Sequence, residues 1–189
     1  QLNIEILLVD DCSNDGSREL IKKIKNNLIK KKIFHKKNRG KGACIKSATK
    51  FASGNLIIIQ DADLEYDPED YYKLLEPFIK QDTNVVYGSR VLNKKRYSLK
   101  SKFSTNFRVF ANYCLTFFSN LINLQNLTDV HTCYKVVRSK LFKKLKLQEN
   151  DFSFCPELTT KLSNINEKII EVPISYKGRD YSEGKKITL

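Results

Sequence analysis

The chain has 189 residues, of which 41% are hydrophobic and 29% are charged. A chain of this length can bury a full core, and this composition excludes disorder as the default, so one globular domain is the simplest expectation. The net charge of +13 favours anionic partners, namely nucleic acid, phosphorylated metabolites or an acidic membrane surface. Lysines on solvated helix faces explain part of that excess equally well.

The cysteines and histidines do not form a pattern typical of a zinc site or a disulfide framework. The five cysteines are scattered, odd in number and never form a CxxC pair, which fits a reducing compartment. His35 and His131 have no partner at ligand spacing, and each is predicted to be a surface or packing residue. No apolar run reaches the length of a transmembrane helix. The chain lacks methionine, begins close to a predicted strand and stops at Leu189 without a polar tail, so we expect a segment that is incomplete at both ends.

The first third of the chain predicts alternating strands and helices. Residues 5–9 form an apolar strand that is closed by a turn cluster at 10–16. A second, short strand is predicted at 33–35, followed by a basic loop at 38–42 and a helix that ends near Gly54. The helix between the two strands carries an apolar stripe formed by Leu20, Ile21, Ile24 and Leu28.

The segment after these elements is the most informative part of the sequence. Residues 56–60 read as a buried strand of a parallel sheet, and three carboxylates follow it at Asp61, Asp63 and Glu65. On extended backbone, alternate side chains point to one side, so the three charges would repel one another unless a cation lay between them. Oxygen ligands suit Mg²⁺ or Mn²⁺. The alternative is a solvated acidic turn that precedes a helix.

The next elements complete a βαβ pattern. Asp67 and Pro68 predict a helix start, and the helix carries an apolar stripe at 71, 74, 75, 78 and 79. Residues 84–90 predict a strand that ends on Arg90. The order β-α-β-α-β-α-β predicts a parallel, doubly wound sheet joined by right-handed crossovers.

The second half of the chain begins with a lysine-rich loop at 93–102 and a long, phenylalanine-rich helix at 101–122. That helix either packs on the core or lies at a membrane interface. A strand at 132–137, a helix at 139–145, a helix that opens at Glu157 and a strand at 168–173 follow. The final predicted feature is a basic loop at 176–186.

Three groups at predicted strand ends can meet in one crevice: Asp10 with Asp11, the cluster at 61–65, and Arg90. The first can accept hydrogen bonds from a nucleoside, the second can hold a metal on a diphosphate, and loop cations can neutralise a departing phosphate. Together they predict a site for a substrate activated by a nucleoside diphosphate. The chain has no GxGxxG, no Walker motif and no GxSxG, which argues against a dehydrogenase, a P-loop ATPase and an α/β-hydrolase.

Several motifs in the same order resemble family 2 glycosyltransferases of the GT-A fold. The later motifs narrow the resemblance to the branch related to dolichyl-phosphate mannosyltransferase and bacterial polyprenyl-phosphate sugar transferases. The similarity runs from about residue 4 to residue 187. The motifs are VDDCSNDGS (9–17), NRGKGA (38–43), DADLEYDP (61–68), GSR (88–90), DVHTCYK (129–135), EVPISY (171–176) and EGKKI (183–187).

The resemblance implies a Rossmann-like, mostly parallel sheet with helices on both faces, here without the family's first strand. It implies that Asp11, with Asp10 beside it, meets the nucleoside, and it makes Lys41 a candidate donor-binding cation. Asp61 and Asp63 would be the DxD-type pair, with Asp63 favoured as the direct metal ligand and Glu65 as a second one.

The resemblance also implies roles for residues of the second half. Arg90 would hold the acceptor's phosphate, and Asp129 and Glu157 would lie near the transferred sugar. Arg179, with Lys185 or Lys186, would close over the donor diphosphate as a mobile loop.

The predicted reaction is an inverting, metal-dependent transfer of a sugar from a nucleoside-diphosphate donor. A polyprenyl-phosphate acceptor is already anionic and needs no general base, whereas a sugar hydroxyl would need Glu157 or Asp129 as the base. The basic residues between 90 and 108 favour the lipid phosphate and peripheral association with the cytoplasmic face of a membrane. Two alternatives remain, a non-catalytic nucleotide-sugar binding module and a nucleic-acid-binding protein. The second leaves the acidic cluster without a purpose, so we expect no nucleic acid as a partner.

Overall fold

The computed structural model describes residues 2–92 and 103–179, with residues 103–108 described by their backbone only. Strands and helices alternate from β1 to α5, as the sequence predicts for the α/β class, and a second helix, α6, follows α5 before the last strand. A short 3₁₀ helix at Pro68–Asp70 leads into α3. The elements are β1 Ile6–Asp10, α1 Ser17–Lys23, β2 Ile29–Phe34, α2 Lys41–Thr49, β3 Leu56–Ile58, α3 Tyr71–Lys80, β4 Val85–Ser89, α4 Phe103–Asn123, β5 Lys135–Arg138, α5 Ser139–Lys144, α6 Phe154–Asn164 and β6 Ile169–Pro173.

The strands form two sheets. β1 and β2 pair in parallel, and the remaining strands form a four-stranded sheet in the order β3-β5-β4-β6, in which β4 and β6 are parallel. The chain divides into two compact units, the first made of Gln1–Ile57 with Val137–Glu167 and the second of Ile58–Val136 with Lys168–Leu189. The chain passes from one unit to the other within β3 and within β5. A single catalytic domain therefore stays a prediction.

In the first unit, β2 is twice as long as predicted, with six residues instead of three. Three consecutive lysines hide this strand in the sequence because they break the apolar run. Each lysine places its charge on a partner at the surface: Lys30 Nζ on Glu5, Lys31 Nζ over the Phe51 ring, and Lys32 Nζ on the carbonyl oxygens of residues 22 and 24. The backbone can therefore pair with β1 while the ammonium groups stay outside the core.

The Glu5 carboxylate ties the start of β1 to its surroundings. It accepts hydrogen bonds from Lys30 Nζ at 2.9 Å, the backbone N–H of Ser53 at 2.6 Å and the backbone N–H of Gly54 at 2.9 Å. The hydrogen bond from Lys30, opposed by burial and reinforced by Ser53 and Gly54, lowers the pKa of Glu5 from 4.5 to about 2.

We expect Glu5→Gln to lower the free energy of unfolding by about 1 kcal/mol at neutral pH, since the ion pair lies near water. A carboxylate with a depressed pKa stabilises the fold above its ordinary pKa, and this stabilisation is lost as the pH falls from 4.5 towards about 2. Urea unfolding at several pH values checks this: the difference between wild type and variant should shrink with acidification. A difference that is constant with pH would contradict the role of the charge.

The predicted helix stripes are only partly buried. No residue of α1 is buried, and Leu20 has an exposed fraction of 65%, because the helix ends at Lys23 before the stripe is complete. In α3, Leu74 is fully buried but Ile79 is 84% exposed. The predicted stripe of α3 is covered except at its last residue, since positions 71, 74, 75 and 78 are buried or half-buried, whereas the stripe of α1 stays largely exposed. The prediction that α2 ends near Gly54 is wrong, since it ends at Thr49.

The core of the second unit is centred on β4, in which all five residues are buried. A Cβ on Gly88 would lie 2.8 Å from Ile174 Cγ2, so only glycine allows the chain after β6 to approach this closely. Lys135 is also buried, and its Nζ donates hydrogen bonds to the carbonyl oxygens of Val130 at 2.8 Å and Thr132 at 2.5 Å. This buried charge stabilises the turn before β5, which explains why that strand begins three residues later than predicted.

Helix α4 agrees with its predicted bounds to within two residues. Many large apolar side chains are exposed on α4 from residue 109 onwards and at Leu124, directly after the helix. They are Phe110, Tyr113, Leu115, Phe117, Phe118, Leu121, Ile122 and Leu124. Among the described residues, no helix combines the length and the apolarity that crossing a membrane requires.

Candidate active site

In the first unit, the two acidic residues that end β1 and begin the next turn have different environments. The Asp10 side chain has an exposed fraction of 0% and accepts hydrogen bonds from Arg18 Nε at 2.6 Å and the backbone N–H of Ser13 at 3.2 Å. Burial alone would raise the pKa of Asp10, but the hydrogen bonds from Ser13 and Arg18 outweigh it and lower the pKa. This enclosed ion pair leaves Asp11 as the better placed of the two for a ligand.

The Asp11 carboxylate has an exposed fraction of 19% and connects three segments. It accepts hydrogen bonds from the backbone N–H of Gly40 at 2.7 Å, the backbone N–H of Arg39 at 3.0 Å and His35 Nδ1 at 2.6 Å. Burial opposes these donors, yet they lower the pKa of Asp11. The carboxylate therefore stays ionised at neutral pH.

His35 is a residue that the sequence reasoning missed. It was predicted to be a surface or packing residue, but it is buried at the end of β2 and bonds directly to Asp11. One signal could have found it: β1 and β2 are parallel neighbours, so residues that follow both strands emerge at the same edge of the sheet.

The glycine-rich loop is held closely by a second loop of the same unit. Lys41 begins α2, and a Cβ on Gly40 would lie 2.5 Å from the carbonyl oxygen of Asn150. The Glu157 carboxylate accepts hydrogen bonds from the backbone N–H groups of residues 148 and 149, at 2.6 and 2.9 Å, and pairs with Lys161 Nζ at 2.9 Å. In this structure Glu157 supports that second loop, and its predicted position near a sugar stays a prediction.

In the second unit, the acidic cluster lies on a turn and not on extended backbone, so the predicted alternation of side chains is wrong. β3 ends at Ile58, and Leu64 has a left-handed φ of 60°. Within the turn, Asp63 Oδ1 accepts a hydrogen bond from the backbone N–H of Glu65 at 3.2 Å. Asp61 precedes this turn and is half-buried.

Arg179 lies against two carboxylates of the cluster. Its Nη2 donates a hydrogen bond to Asp63 Oδ2 at 3.2 Å, and its Nε lies 3.6 Å from Glu65 Oε1. Glu65 is buried and also accepts hydrogen bonds from the backbone N–H of Arg179 at 2.9 Å and the hydroxyl of Tyr176 at 2.8 Å. Within the described part of the chain, Arg179 Nε is buried without a hydrogen-bond acceptor.

Arg90 and Asp129 form a buried, bidentate ion pair. Arg90 Nε and Nη2 donate hydrogen bonds to the two Asp129 oxygens at 2.7 and 2.8 Å, and the Arg90 backbone N–H donates a third at 3.0 Å. Burial would raise the pKa of Asp129, but the hydrogen bonds and charge of Arg90 lower it. The half-buried Glu171 carboxylate accepts hydrogen bonds from the backbone N–H groups of Thr128 and Asp129 and so supports the pair.

Tyr176 links the two groups of charges in the second unit. Its hydroxyl donates to Glu65, and the Arg90 guanidinium carbon lies 5.1 Å from the centre of its ring. The structure thus brings Asp63, Glu65, Arg90 and Arg179 together with Asp129. The predicted residues Asp10, Asp11, Lys41 and Glu157 belong to the first unit, and a common crevice stays a prediction. Lys185 and Lys186 lie outside the described residues.

The acidic cluster has the chemistry that a divalent cation requires. Asp61, Asp63 and Glu65 offer only oxygen donors, as Mg²⁺ and Mn²⁺ prefer. A cationic group, the Arg179 guanidinium, already lies against Asp63 and Glu65. The donor atoms of this cluster therefore suit a divalent metal in their chemistry, but the group of ligand atoms within 4.8 Å of one another that the described residues form is that of Asp11, His35 and Cys44.

The sequence matches a family model over most of its length, since the model described as glycosyl transferase family 2 covers residues 1–146. The chain belongs to glycosyl transferase family 2. This confirms the resemblance that the motifs predicted.

Curated relatives narrow the resemblance within the family. A dolichol-phosphate mannosyltransferase of Pyrococcus furiosus is 25% identical over 97% of this chain and 51% of its own length. A UDP-N-acetylglucosamine–dolichyl-phosphate N-acetylglucosaminyltransferase of Methanococcus voltae is 26% identical over 94% of this chain and 76% of its own length. This family 2 chain therefore spans about half the length of the Pyrococcus relative.

Solved structures identify the fold as that of the GT-A glycosyltransferases. A mannosyltransferase of Pyrobaculum calidifontis, in complex with GDP-Man and Mn²⁺, has a TM-score of 0.59 at 16% identity over 89% of this chain and 45% of its own. Glucosyl-3-phosphoglycerate synthase of Mycobacterium tuberculosis, in complex with Mn²⁺, UDP and glucosyl-3-phosphoglycerate, has a TM-score of 0.63 at 14% identity over 95% of this chain and 63% of its own. The α/β class and the GT-A fold predicted from the sequence are confirmed.

Proposed function

We propose that this family 2 chain is the catalytic part of an inverting, metal-dependent glycosyltransferase that moves a sugar from a nucleoside-diphosphate donor to a polyprenyl phosphate. One observation carries the proposal: Asp63 and Glu65 share the Arg179 guanidinium beside the buried Arg90–Asp129 pair. Acidic groups for a metal and basic groups for phosphate therefore lie within one unit, as transfer between two phosphate-bearing substrates requires.

Candidate donor-binding residues occur in each unit, and each set is assigned by itself. Asp63 and Glu65, with Asp61, would hold Mg²⁺ or Mn²⁺, which supplies charge neutralisation to the departing diphosphate when bound. Arg179 would turn from the carboxylates to a phosphate oxygen, and Asp11 would accept a hydrogen bond from the nucleoside. Lys41, Lys185 and Lys186 are further candidate cations for the diphosphate.

We expect Arg179→Ala to have opposite effects on two ligands. Affinity for Mn²⁺ alone should rise by up to about fivefold, because the carboxylates lose a competing cation. Affinity for a nucleoside diphosphate with Mn²⁺ should fall by about 10- to 100-fold, because a charged hydrogen bond to phosphate is lost. Isothermal titration of both ligands measures this.

Lys177→Ala is the matched control, since it removes the same charge from the same segment. Its side chain is exposed, and its backbone N–H donates to the carbonyl oxygen of Glu65. Equal effects of the two substitutions would contradict a specific role for Arg179.

The acceptor assignment rests on the state of two carboxylates. A hydroxyl acceptor needs a general base whose pKa lies near the working pH. Asp129 and Glu157 were the candidates, but both have a lowered pKa despite burial and already accept hydrogen bonds, Asp129 from Arg90 and Glu157 from Lys161 and the loop amides. A phosphate acceptor is already an anionic nucleophile, and Arg90 would orient it.

Helix α4 supports a position at a membrane surface. Its exposed face carries phenylalanine and leucine side chains, and residues 90–108 hold seven basic and no acidic residues. An apolar helix face that follows a basic segment in the sequence is typical of segments that lie in the headgroup region of an anionic bilayer. We infer peripheral association with the cytoplasmic face, where a lipid-linked acceptor can be reached.

We expect the double substitution Phe117→Ser with Leu121→Ser to weaken binding to anionic vesicles by about 10-fold or more, because two apolar side chains are lost. The matched control is Tyr72→Ser with Ile79→Ser, which removes one aromatic and one aliphatic residue of α3 that are more exposed than Phe117 and Leu121. Co-sedimentation with vesicles measures the effect. Equal losses in both double variants would contradict the assignment to α4.

The activity test uses the protein with UDP- and GDP-sugars, Mn²⁺ or Mg²⁺, and a short polyprenyl phosphate. Transfer to the lipid phosphate that stops when the metal is chelated supports the proposal. Transfer only to a saccharide hydroxyl would overturn the acceptor assignment. Salt-sensitive binding to RNA without any response to metal or nucleotide would overturn the proposal as a whole.

A further inference from the structure

We propose that His35 is a positioning residue that fixes the Asp11 carboxylate in the orientation needed to receive the nucleoside of the donor. The proposal rests on the proposed function, because it takes Asp11 as the nucleoside contact. Sequence spacing alone gave His35 no partner. Its proposed role depends on Asp11 and Ser47, whose side chains contact its ring.

The imidazole ring bonds on both sides. His35 Nδ1 lies 2.6 Å from Asp11 Oδ1, and since a carboxylate only accepts, the proton must be on Nδ1. His35 Nε2 lies 2.9 Å from Ser47 Oγ, and a hydroxyl can donate to this nitrogen when the imidazole is neutral. The Asp11 carboxylate therefore requires the proton on Nδ1, Ser47 on α2 holds the opposite side of the ring, and the ring orients Asp11.

The backbone of His35 is held as firmly as its ring. Its N–H donates to the carbonyl oxygen of Asp10 at 2.9 Å, and its carbonyl oxygen accepts a hydrogen bond from Arg18 Nη2 at 2.5 Å. The residue has an exposed fraction of only 7%. A buried ring with fixed ends can orient a carboxylate without taking up solvent or another rotamer.

The orientation of the Asp11 carboxylate controls its hydrogen bond to the glycine-rich loop at Gly40. Oδ2 of Asp11 receives the Gly40 N–H at 2.7 Å, while Oδ1 receives the histidine. If the histidine donor were lost, Oδ1 would keep only the longer hydrogen bond from the Arg39 N–H at 3.0 Å, and the carboxylate could rotate and release the Gly40 N–H. The oxygen edge offered to a nucleoside would then move as well.

A metal site is the competing interpretation of this cluster. One ligand atom each from Asp11, His35 and Cys44 lies within 4.8 Å of the others. Two ligands on one zinc ion lie roughly 3.3 Å apart, given bonds of about 2.0 Å, whereas the Asp11–His35 distance of 2.6 Å is that of a hydrogen bond. Burial and the neighbouring Asp11 also raise the pKa of Cys44 to about 11, which favours a thiol and not the thiolate that binds zinc.

A pair of substitutions separates the two ring nitrogens. The Asn side-chain amide can place its N–H near the position of Nδ1, whereas the longer Gln reaches the position of Nε2. We expect His35→Asn to bind UDP or GDP with Mn²⁺ within about threefold of wild type, and His35→Gln to bind about 10- to 100-fold more weakly. Hydrogen exchange of the Gly40 amide should be faster in His35→Gln and unchanged in His35→Asn.

The wild-type protein gives a second test that needs no folded variant. The chain has two histidines, so His131 serves as an internal reference in nitrogen-detected spectra. We expect a slowly exchanging Nδ1 proton on His35 and a shift of the His35 ring signals, but not those of His131, when UDP or GDP is added with Mg²⁺.

The outcomes distinguish the two proposals. If wild type binds a nucleoside diphosphate but His35→Gln binds equally well, or if the His35 ring carries its proton on Nε2, positioning by His35 is overturned and the proposed function stands. If wild type binds neither nucleotide, the proposed function fails. In that case, unchanged hydrogen exchange of the Gly40 amide in His35→Gln would separately overturn the proposal that His35 orients Asp11. A stoichiometric Co²⁺ complex whose absorption shows a sulfur ligand would overturn positioning by His35 in favour of a metal site formed by Asp11, His35 and Cys44.

Discussion

Asp63→Asn should reduce sugar transfer by about 10²- to 10³-fold, the largest effect that we expect from a single atom change. The substitution keeps the size of the side chain and an oxygen that can accept the Glu65 N–H, so the turn should survive. It removes the charge that a divalent cation and the Arg179 guanidinium both need. Initial rates with a nucleoside-diphosphate sugar and saturating metal measure the effect, and binding of Mn²⁺ with nucleotide should weaken in parallel.

Asp67→Asn is the matched control for this prediction. Asp67 is exposed on the same segment and accepts a hydrogen bond from the Glu69 N–H, so the control makes the same change of charge while leaving the acidic cluster intact. We expect its rate to stay within about twofold of wild type. Wild-type transfer by Asp63→Asn would rule out the assignment of this carboxylate to the metal.

Arg90→Gln should lower the free energy of unfolding by about 3–5 kcal/mol, because it leaves the buried Asp129 charge without its partner. The double variant Arg90→Gln with Asp129→Asn should recover much of that loss, since neither buried side chain then carries a charge. Urea unfolding of the single and double variants measures both values. A double variant that is less stable than either single variant would contradict this account.

The same pair makes stability depend on pH in a defined direction. The folded protein holds the pKa of Asp129 below its ordinary value. The stabilisation that the Arg90–Asp129 pair gives is therefore complete at a pH above that ordinary pKa and is lost as the pH falls through the lowered pKa. The double variant should lack this part of the acid dependence.

The double variant also separates stability from the acceptor role. If Arg90 holds the acceptor phosphate, the double variant folds but binds a short polyprenyl phosphate about 10- to 100-fold more weakly. Normal affinity in that stable variant would remove Arg90 from the acceptor site while leaving the metal assignment untouched.

The alternation of strands and helices could be predicted from the sequence because it depends on local patterns. Apolar β-branched runs, an Asp-Pro helix start and turn clusters each predict one element, and β1, β4, β6 and α4 were found within two or three residues of their predicted bounds. The motifs that carry the family resemblance are also contiguous, so no contact had to be known to identify them.

The prediction failed where charges or partners distant in sequence decide the structure. The lysines of β2 conceal a strand that forms only because it pairs with β1 and finds partners for its ammonium groups. The acidic cluster was expected on extended backbone, but a left-handed Leu64 turns the chain there. The exposure of Leu20 and Ile79 depends on where each helix ends and on which neighbours cover it.

The sequence by itself determined the α/β class, the GT-A family and the carboxylates and cations that a nucleotide-sugar site needs, because these are properties of local pattern and residue type. Only the tertiary structure decided which of those charges neutralise one another. Arg179 pairs with Asp63 and Glu65 across more than 110 residues of sequence, and His35 meets Asp11 because two parallel strands end side by side. An electrostatic pair is fixed by distance in space, and sequence separation carries no information on that distance.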